Sequence, residues 1–301
     1  MRIKKALALV VSAAVTISTL AGCSQAAQNY VEELSKVSKW DSYTTESSGT
    51  YTMSNGGTSQ TFKFTSTSYR SDNKAYSEVK YNSADGDVQV LDMKSYFDGS
   101  SYYINKSYFE DMYKLSGKEV PEKLKKLNAE YIGLDIGVNM DAIKTLMSNP
   151  KEYIKIAETL FGENSIDLPY VQNGREYELN LDSEKVAQLQ SLLIKNVLSK
   201  SGEKNVQNGA LNEEQEKAVD SLKDLYSGSS ISTKESFEDD KYTVDMNFDL
   251  KVKDVSEVNM NMNSVSNKCD KKEITIPSNS VKFTQEEYVN LLADENASTD
   301  K

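Results

Sequence analysis

Between Lys241 and Lys253 the chain alternates without a break. Tyr242, Val244, Met246, Phe248, Leu250 and Val252 are separated by Lys241, Thr243, Asp245, Asn247, Asp249, Lys251 and Lys253. Successive side chains of an extended strand point to opposite faces, so a period of two puts every apolar residue of this run on one side. A helix would scatter the same residues around its circumference. The segment is therefore a strand with one buried face and one wet face. Val258, Met260 and Met262 repeat the pattern against Asn259, Asn261 and Asn263. A sheet of such strands cannot stand alone, because its apolar face needs a cover.

Further strands are predicted over 43–53, 58–69, 74–81, 88–97 and 102–105. Turn chemistry separates them: Asn55-Gly56-Gly57, Ser71-Asp72-Asn73, Asp85-Gly86-Asp87 and Asp98-Gly99. Short turns between successive strands make an antiparallel meander. Residues 176–182, with Tyr177, Leu179 and Leu181 on one face, predict another strand, and 273–276 a last one ending at Pro277. Helical spacing appears in Tyr30, Val31, Leu34 and Val37, extending to Trp40, which predicts a helix over 28–39 behind a polar tether, Ser24 to Gln28. The middle, 107–168 and 183–226, is expected to be helical apart from a loop at 199–210. A shorter helix is expected over 139–148. Asn149-Pro150-Lys151-Glu152 supplies an N-cap, a proline at N1 and an acid at N3 for the next one. Val186, Leu189, Leu193 and Val197 form one stripe on a helix over 183–198, and 213–226 forms a further helix. Residues 284–301 complete the chain as a helix and polar tail.

About ten strands and four or five one-sided helices predict an α+β fold: a curved antiparallel sheet, half-barrel-like, covered on one face by helices. A single sheet-plus-helix domain is expected over 40–283.

Composition excludes several functions. The chain of 301 residues carries 46 Asp+Glu against 35 Lys+Arg, a net charge of −11. That sign repels phosphate backbones, so no nucleic-acid partner is expected. There is no histidine, which removes Ser-His-Asp and Cys-His catalysis and imidazole zinc sites. The arginines are Arg2, Arg70 and Arg175, too few for a phosphate clamp. Acidic pairs such as Glu32-Glu33, Asp239-Asp240 and Glu286-Glu287 fall in turns or on polar helix faces, where solvation accounts for them. No metal, cofactor or enzymatic activity is expected. More than half of the 18 tyrosines fall between Tyr43 and Tyr113. Tyrosine forms strands well and also lines amphipathic or sugar-binding surfaces; the strand role is favoured.

The first 23 residues decide location. Arg2, Lys4 and Lys5 precede an uncharged, mostly apolar run from Ala6 to Leu20. The run is shorter than the roughly 20 residues a bilayer-spanning helix needs and has the length of a signal-peptide core. It ends in Leu20-Ala21-Gly22-Cys23, which resembles the lipobox of bacterial lipoproteins. The resemblance implies cleavage between Gly22 and Cys23 and a diacylglyceryl group on Cys23. Two acyl chains anchor stably where one does not, so the expected location is the outer face of the bacterial cell membrane. Lipidation of Cys23 leaves Cys269 alone, with no intramolecular disulfide. An unremarkable turn residue is the expectation for Cys269.

The layout of the body, over about 28–283, is similar to the half-barrel of the periplasmic lipoprotein carriers and the mycobacterial LppX/LprG lipoproteins (LolA/LppX-like). Local matches are Tyr96-Phe97-Asp98-Gly99 to Tyr102-Tyr103-Ile104 and Ile274-Thr275-Ile276-Pro277. Two functions follow as expectations. The first is a non-enzymatic binding protein that holds an apolar or amphipathic, lipid-like ligand between sheet and helices, in a cavity lined by Leu189, Leu193, Val197, Met246, Phe248, Met260 and Met262. The second is an envelope module with a packed core whose polar sheet face meets a protein or glycan partner.

Overall fold

The computed structural model describes residues 24–55, 58–84, 89–135, 149, 168–189, 224–253 and 256–293. It is a sheet-dominated α+β protein. Its strands hydrogen-bond in the order β12-β6-β5-β4-β3-β2-β1-β11-β10-β9-β8-β7. In chain order these are β1 (Ser42–Asn55), β2 (Thr58–Ser71), β3 (Lys74–Asn82), β4 (Gln89–Phe97), β5 (Ser101–Asn105), β6 (Tyr131–Asp135), β7 (Tyr170–Asn173), β8 (Glu176–Leu181), β9 (Ser230–Phe237), β10 (Lys241–Val252), β11 (Ser256–Lys268) and β12 (Ser280–Phe283). The named helices are α1 (Gln25–Ser38), α2 (Lys106–Leu115), α3 (Glu122–Lys126) and α4 (Gln285–Leu291); residues 183–189 are also helical.

The chain forms two compact units. Among the described residues, unit 1 contains 24–39, 50–55, 58–60, 149, 168–189, 224–253 and 256–263; unit 2 contains 40–49, 61–84, 89–135 and 264–293.

Unit 1 is built on the apolar–polar alternation of β10 and β11. On β10, Met246 and Phe248 are buried while Asp245 and Asn247 are exposed. On β11, Val258 is buried and Asn259, Asn261 and Asn263 are exposed. Tyr177, Leu179 and Leu181 all point inward from β8. Helix α1 lays Ala27, Tyr30 and Val31 into the same core. It starts three residues before the predicted helix because the Ser24 hydroxyl accepts the Ala27 N–H at 3.2 Å, a side-chain N-cap. The expected tether is thus the helix's first turn. The β7–β8 hairpin turns at Gly174, whose φ of 62° suits glycine.

Unit 2 has its own core of Tyr113, Leu124, Ile132 and Leu291. Helix α4 begins with a reciprocal capping box: Thr284 Oγ1 accepts the Glu287 N–H at 3.3 Å, and Glu287 accepts the Thr284 N–H at 2.9 Å. The acidic pair Glu286-Glu287 therefore includes a helix cap. Trp40 follows α1 without belonging to it, and stacks edge-on against Tyr43 with centroids 6.1 Å apart.

The structure corrects the predicted layout in several places. The described residues hold twelve strands, and the sheet is mixed, because β12 runs parallel to β6. Strand β6 lies inside the stretch expected to be helical; its five residues, with Gly133 in the centre, are too few to show a period. Strand β9 was hidden because Thr233 and Glu235 occupy inward positions between Ile231 and Phe237. Residues 273–276 bury Ile274 but form no strand. The helices expected over 139–148 and after Asn149-Pro150, the helix over 213–226 and the loop at 199–210 lie wholly or largely outside the described residues.

Candidate functional site

The expected cavity residues are only partly brought together. Leu189, Phe248 and the partly buried Met260 belong to the unit 1 core. Met246 is buried on the same face of β10 as Phe248, and Met262 is half-buried on β11. Leu193, Val197, Gly22 and Cys23 lie outside the described residues.

At the centre of that core is a carboxyl group that periodicity did not reveal. Glu235, on β9, is 1% exposed. Its two oxygens accept the Tyr30 hydroxyl of α1 at 3.0 and 2.9 Å, and Oε2 also accepts the Tyr242 hydroxyl of β10 at 2.5 Å. Tyr30 stacks on Tyr170 at 4.5 Å and meets Tyr177 and Phe237 edge-on, while Tyr242 stacks on Phe237 at 4.8 Å. Burial pushes the Glu235 carboxyl above the ordinary glutamate range, and hydrogen bonds from Tyr242, Tyr30 and Thr233 only partly oppose this. Thr233 makes the weakest of these contacts, since its hydroxyl lies outside normal hydrogen-bonding geometry. Among the described residues no cation pairs with Glu235. The group ties helix to sheet, and it is too enclosed to reach a substrate.

A second buried acid is handled in the opposite way. Burial alone would raise Glu33, but hydrogen bonds from Lys36 and Arg175 outweigh it and hold the carboxyl below its usual range. Arg175, at the β7–β8 turn, donates to Glu33 at 2.7 Å and to Asp239 at 2.8 Å. The chain's third arginine is therefore a structural clamp.

Unit 2 places its tyrosines in register. Tyr69 pairs with Tyr76, Tyr76 with Tyr96, Tyr96 with Tyr103 and Tyr103 with Gly133. Directly paired residues share a face, so β2, β3, β4 and β5 each contribute a tyrosine to one row. On β2 to β4 the row is half-exposed, and Lys63, Thr65 and Thr67 on β2 and Lys80 on β3 share that face and are exposed; at its β5 end Tyr103 is buried beside Ser101 and Asn105. Tyr76 and Tyr96 lie 4.9 Å apart, and Tyr131 of β6 meets Tyr96 edge-on at 5.4 Å. The Tyr103 ring lies across Gly133, where an added Cβ would come within 2.6 Å of it. Its hydroxyl donates to Asp98 at 2.9 Å.

Charges flank the row in matched pairs. Glu78 accepts the Tyr76 hydroxyl at 3.1 Å and pairs with Lys80 at 3.1 Å; Asp92 lies 3.9 Å from Lys94. The Lys80 ammonium holds Glu78 below the ordinary range, so it stays ionised near neutral pH. Burial, then the neighbouring Tyr96, pushes the Tyr131 phenol up to about 12, so it stays a neutral donor. The tyrosine enrichment was visible in the sequence; its alignment across strands required the register. Cys269 is half-buried in the segment after β11, and its N–H donates to the Ser42 carbonyl at 3.1 Å.

No protein-family model matches this chain, and no curated protein matches it. The solved structures that match align weakly, among them two crystal structures. The crystal structure of Neisserial surface protein A (NspA) aligns at a TM-score of 0.24 and 8% identity, over 76% of this chain and 97% of that one. The crystal structure of Rv2717c from M. tuberculosis aligns at 0.21 and 7%, over 83% and 100%. Likeness at that level carries no argument about this protein. Among the described residues no helix is long and apolar enough to cross a membrane, and no cluster of acidic or cysteine side chains could hold a metal ion.

Proposed function

We propose that this chain is a lipid-anchored, extracytoplasmic binding module without enzymatic activity, with a packed interior in unit 1 and a partner-binding surface on the wet face of its sheet. The anchor rests on the basic start, the apolar run and Leu20-Ala21-Gly22-Cys23, which make Cys23 the lipidated first residue at the outer face of the bacterial cell membrane. Helix α1 then follows the anchor directly, since Ser24 is its cap.

One observation favours a packed interior over a ligand cavity. Phe248 and Leu189, expected to line the cavity, are 1% and 3% exposed. Side chains facing a space large enough for a lipid chain would leave surface within reach of a water-sized sphere. The carrier for an apolar ligand, with the half-barrel layout of the lipoprotein carriers, is the second reading. It draws on Met260 and Met262, which are only half-buried on the same face of β11.

Two measurements test the proposal. Cys23→Ser should abolish lipid labelling and move protein from the membrane fraction to the medium, or leave it uncleaved. A variant that fractionates and migrates like the parent sinks the anchor. Native mass spectrometry of the protein made in a bacterial host should show a body free of co-purified lipid beyond the anchor. A stoichiometric extractable lipid in the Cys23→Ser protein would favour the carrier instead.

A further inference from the structure

We propose that the tyrosine row of unit 2 is a docking surface for a neutral glycan chain, centred on Tyr76, Tyr96 and Tyr131 and flanked by Glu78 and Lys94. The proposal rests on the binding-module reading and names its partner.

Strand propensity explains why tyrosines occur in strands, but not why Tyr76, Tyr96 and Tyr131 gather side by side on a half-exposed face. An aromatic ring there leaves apolar surface toward solvent unless something covers it. Neighbouring strands are spaced by about 4.8 Å, so the row forms an extended platform. An extended chain of apolar-faced units matches that shape better than a compact ligand. A sugar ring suits each position. Its C–H face is apolar and slightly positive, complementing the negative face of a tyrosine ring, and its hydroxyls project sideways as donors and acceptors.

The surroundings supply the matching polar groups. Glu78 is an ionised acceptor beside the Tyr76 ring, Lys80 and Lys94 are donors, and the Tyr76 and Tyr131 phenols stay protonated.

Charge decides which polymer fits. Glu78 with Lys80 and Asp92 with Lys94 cancel at the platform. A polyanion would meet a chain of net charge −11, and the lysines beside Tyr76 and Tyr96, Lys80 and Lys94, already face carboxylates. A polycation would find each carboxylate already paired. A chain that is uncharged and rich in hydroxyls matches a surface whose charges are balanced locally.

The test uses the mature lipidated protein in a detergent without sugar head groups, titrated calorimetrically with cellohexaose and with chitohexaose. Saturable binding of at least one should be seen at or below about 1 mM, corresponding to roughly 4 kcal/mol. Tyr96→Ala should weaken it by about tenfold or more, while Tyr96→Phe, which keeps the ring, should retain most of it. Glu78→Gln, which leaves the rings in place, serves as a second variant should Tyr96→Ala unfold the protein, and should weaken binding. Absence of saturable binding by the parent overturns the proposal, as does binding unchanged in both Tyr96→Ala and Glu78→Gln. A photo-reactive residue at the exposed position Thr67 separates this failure from that of the module reading. If sugar does not bind but this residue cross-links to one defined envelope protein in cells, the glycan is wrong and the module stands. With neither sugar binding nor a cross-link, both fall.

Discussion

Phe248→Asp should unfold unit 1, or lower its urea midpoint far more than any surface change, while the neighbouring Asn247→Asp should leave the midpoint nearly unaltered. Phe248 is enclosed by the core that includes Tyr177, Leu179, Ile231 and Val258. Removing a buried Phe ring costs about 3–5 kcal/mol, and a carboxylate left there without a partner adds to that. Asn247 is exposed on the other face and hydrogen-bonds to Asn261, so its change should stay within about 0.5 kcal/mol. Equal midpoints for the two variants would mean that the alternation of β10 does not set its buried face. The comparison is sharp because the residues are adjacent in sequence and differ only in the side of the strand they occupy.

The second large effect concerns Glu235. Glu235→Ala leaves the buried Tyr30 hydroxyl without its acceptor, at about 1–3 kcal/mol, and removes the hydrogen bond from the half-buried Tyr242. Glu235→Gln keeps an acceptor and the side-chain volume, and its effect should depend on pH. Burial raises the folded-state value of the Glu235 carboxyl above its value in the unfolded chain. The folded protein therefore holds this proton more tightly than the unfolded one. The contribution is fully present below the ordinary glutamate value of about 4.3. It is lost as pH rises from there through the raised folded value. The acids held low by their partners, Glu33 and Glu78 among them, act in the opposite sense at lower pH, but they do so equally in parent and variant. The stability of the parent minus that of Glu235→Gln should therefore fall as pH rises and then level off. A difference that is flat across that range would show that Glu235 ionises as an ordinary glutamate.

Much of this was legible in the sequence for a definite reason. Alternation is a local property, and in β10, β11 and β8 it names the buried and exposed residues before any partner strand is known. Strands β1 to β5 were announced differently, as strand-forming stretches between Gly, Asn and Asp turn signals, with no face named in advance; the signals at 56–57 and 85–87 lie outside the described residues. The one-sided spacing of Tyr30, Val31 and Leu34 likewise announced α1, and Leu20 to Cys23 carried the expected anchor without any fold at all. Local signals failed where elements are short or carry polar residues inward. Strand β6 has five residues and β7 four. Strand β9 hides its period behind an inward glutamate. Residues 273–276 show the converse, since β-branched residues favour a strand but cannot supply a neighbour to pair with.

What the sequence by itself determined is which stretches are one-sided strands or helices, which face of β8, β10 and α1 is dry, and that no chemistry requiring histidine is available to the chain. These follow from side-chain chemistry and the fixed periods of two and 3.6. Only the tertiary structure decided what meets what. Tyr30 and Glu235 are 205 residues apart, and nothing near either residue names the other. The tyrosines on β2, β3, β4 and β5 become a row only through strand register. The parallel seating of β12 on β6 depends on where the chain returns to the sheet. Pairing across such separations is set by strand register and the exclusion of water from each core, and a local pattern does not contain that information.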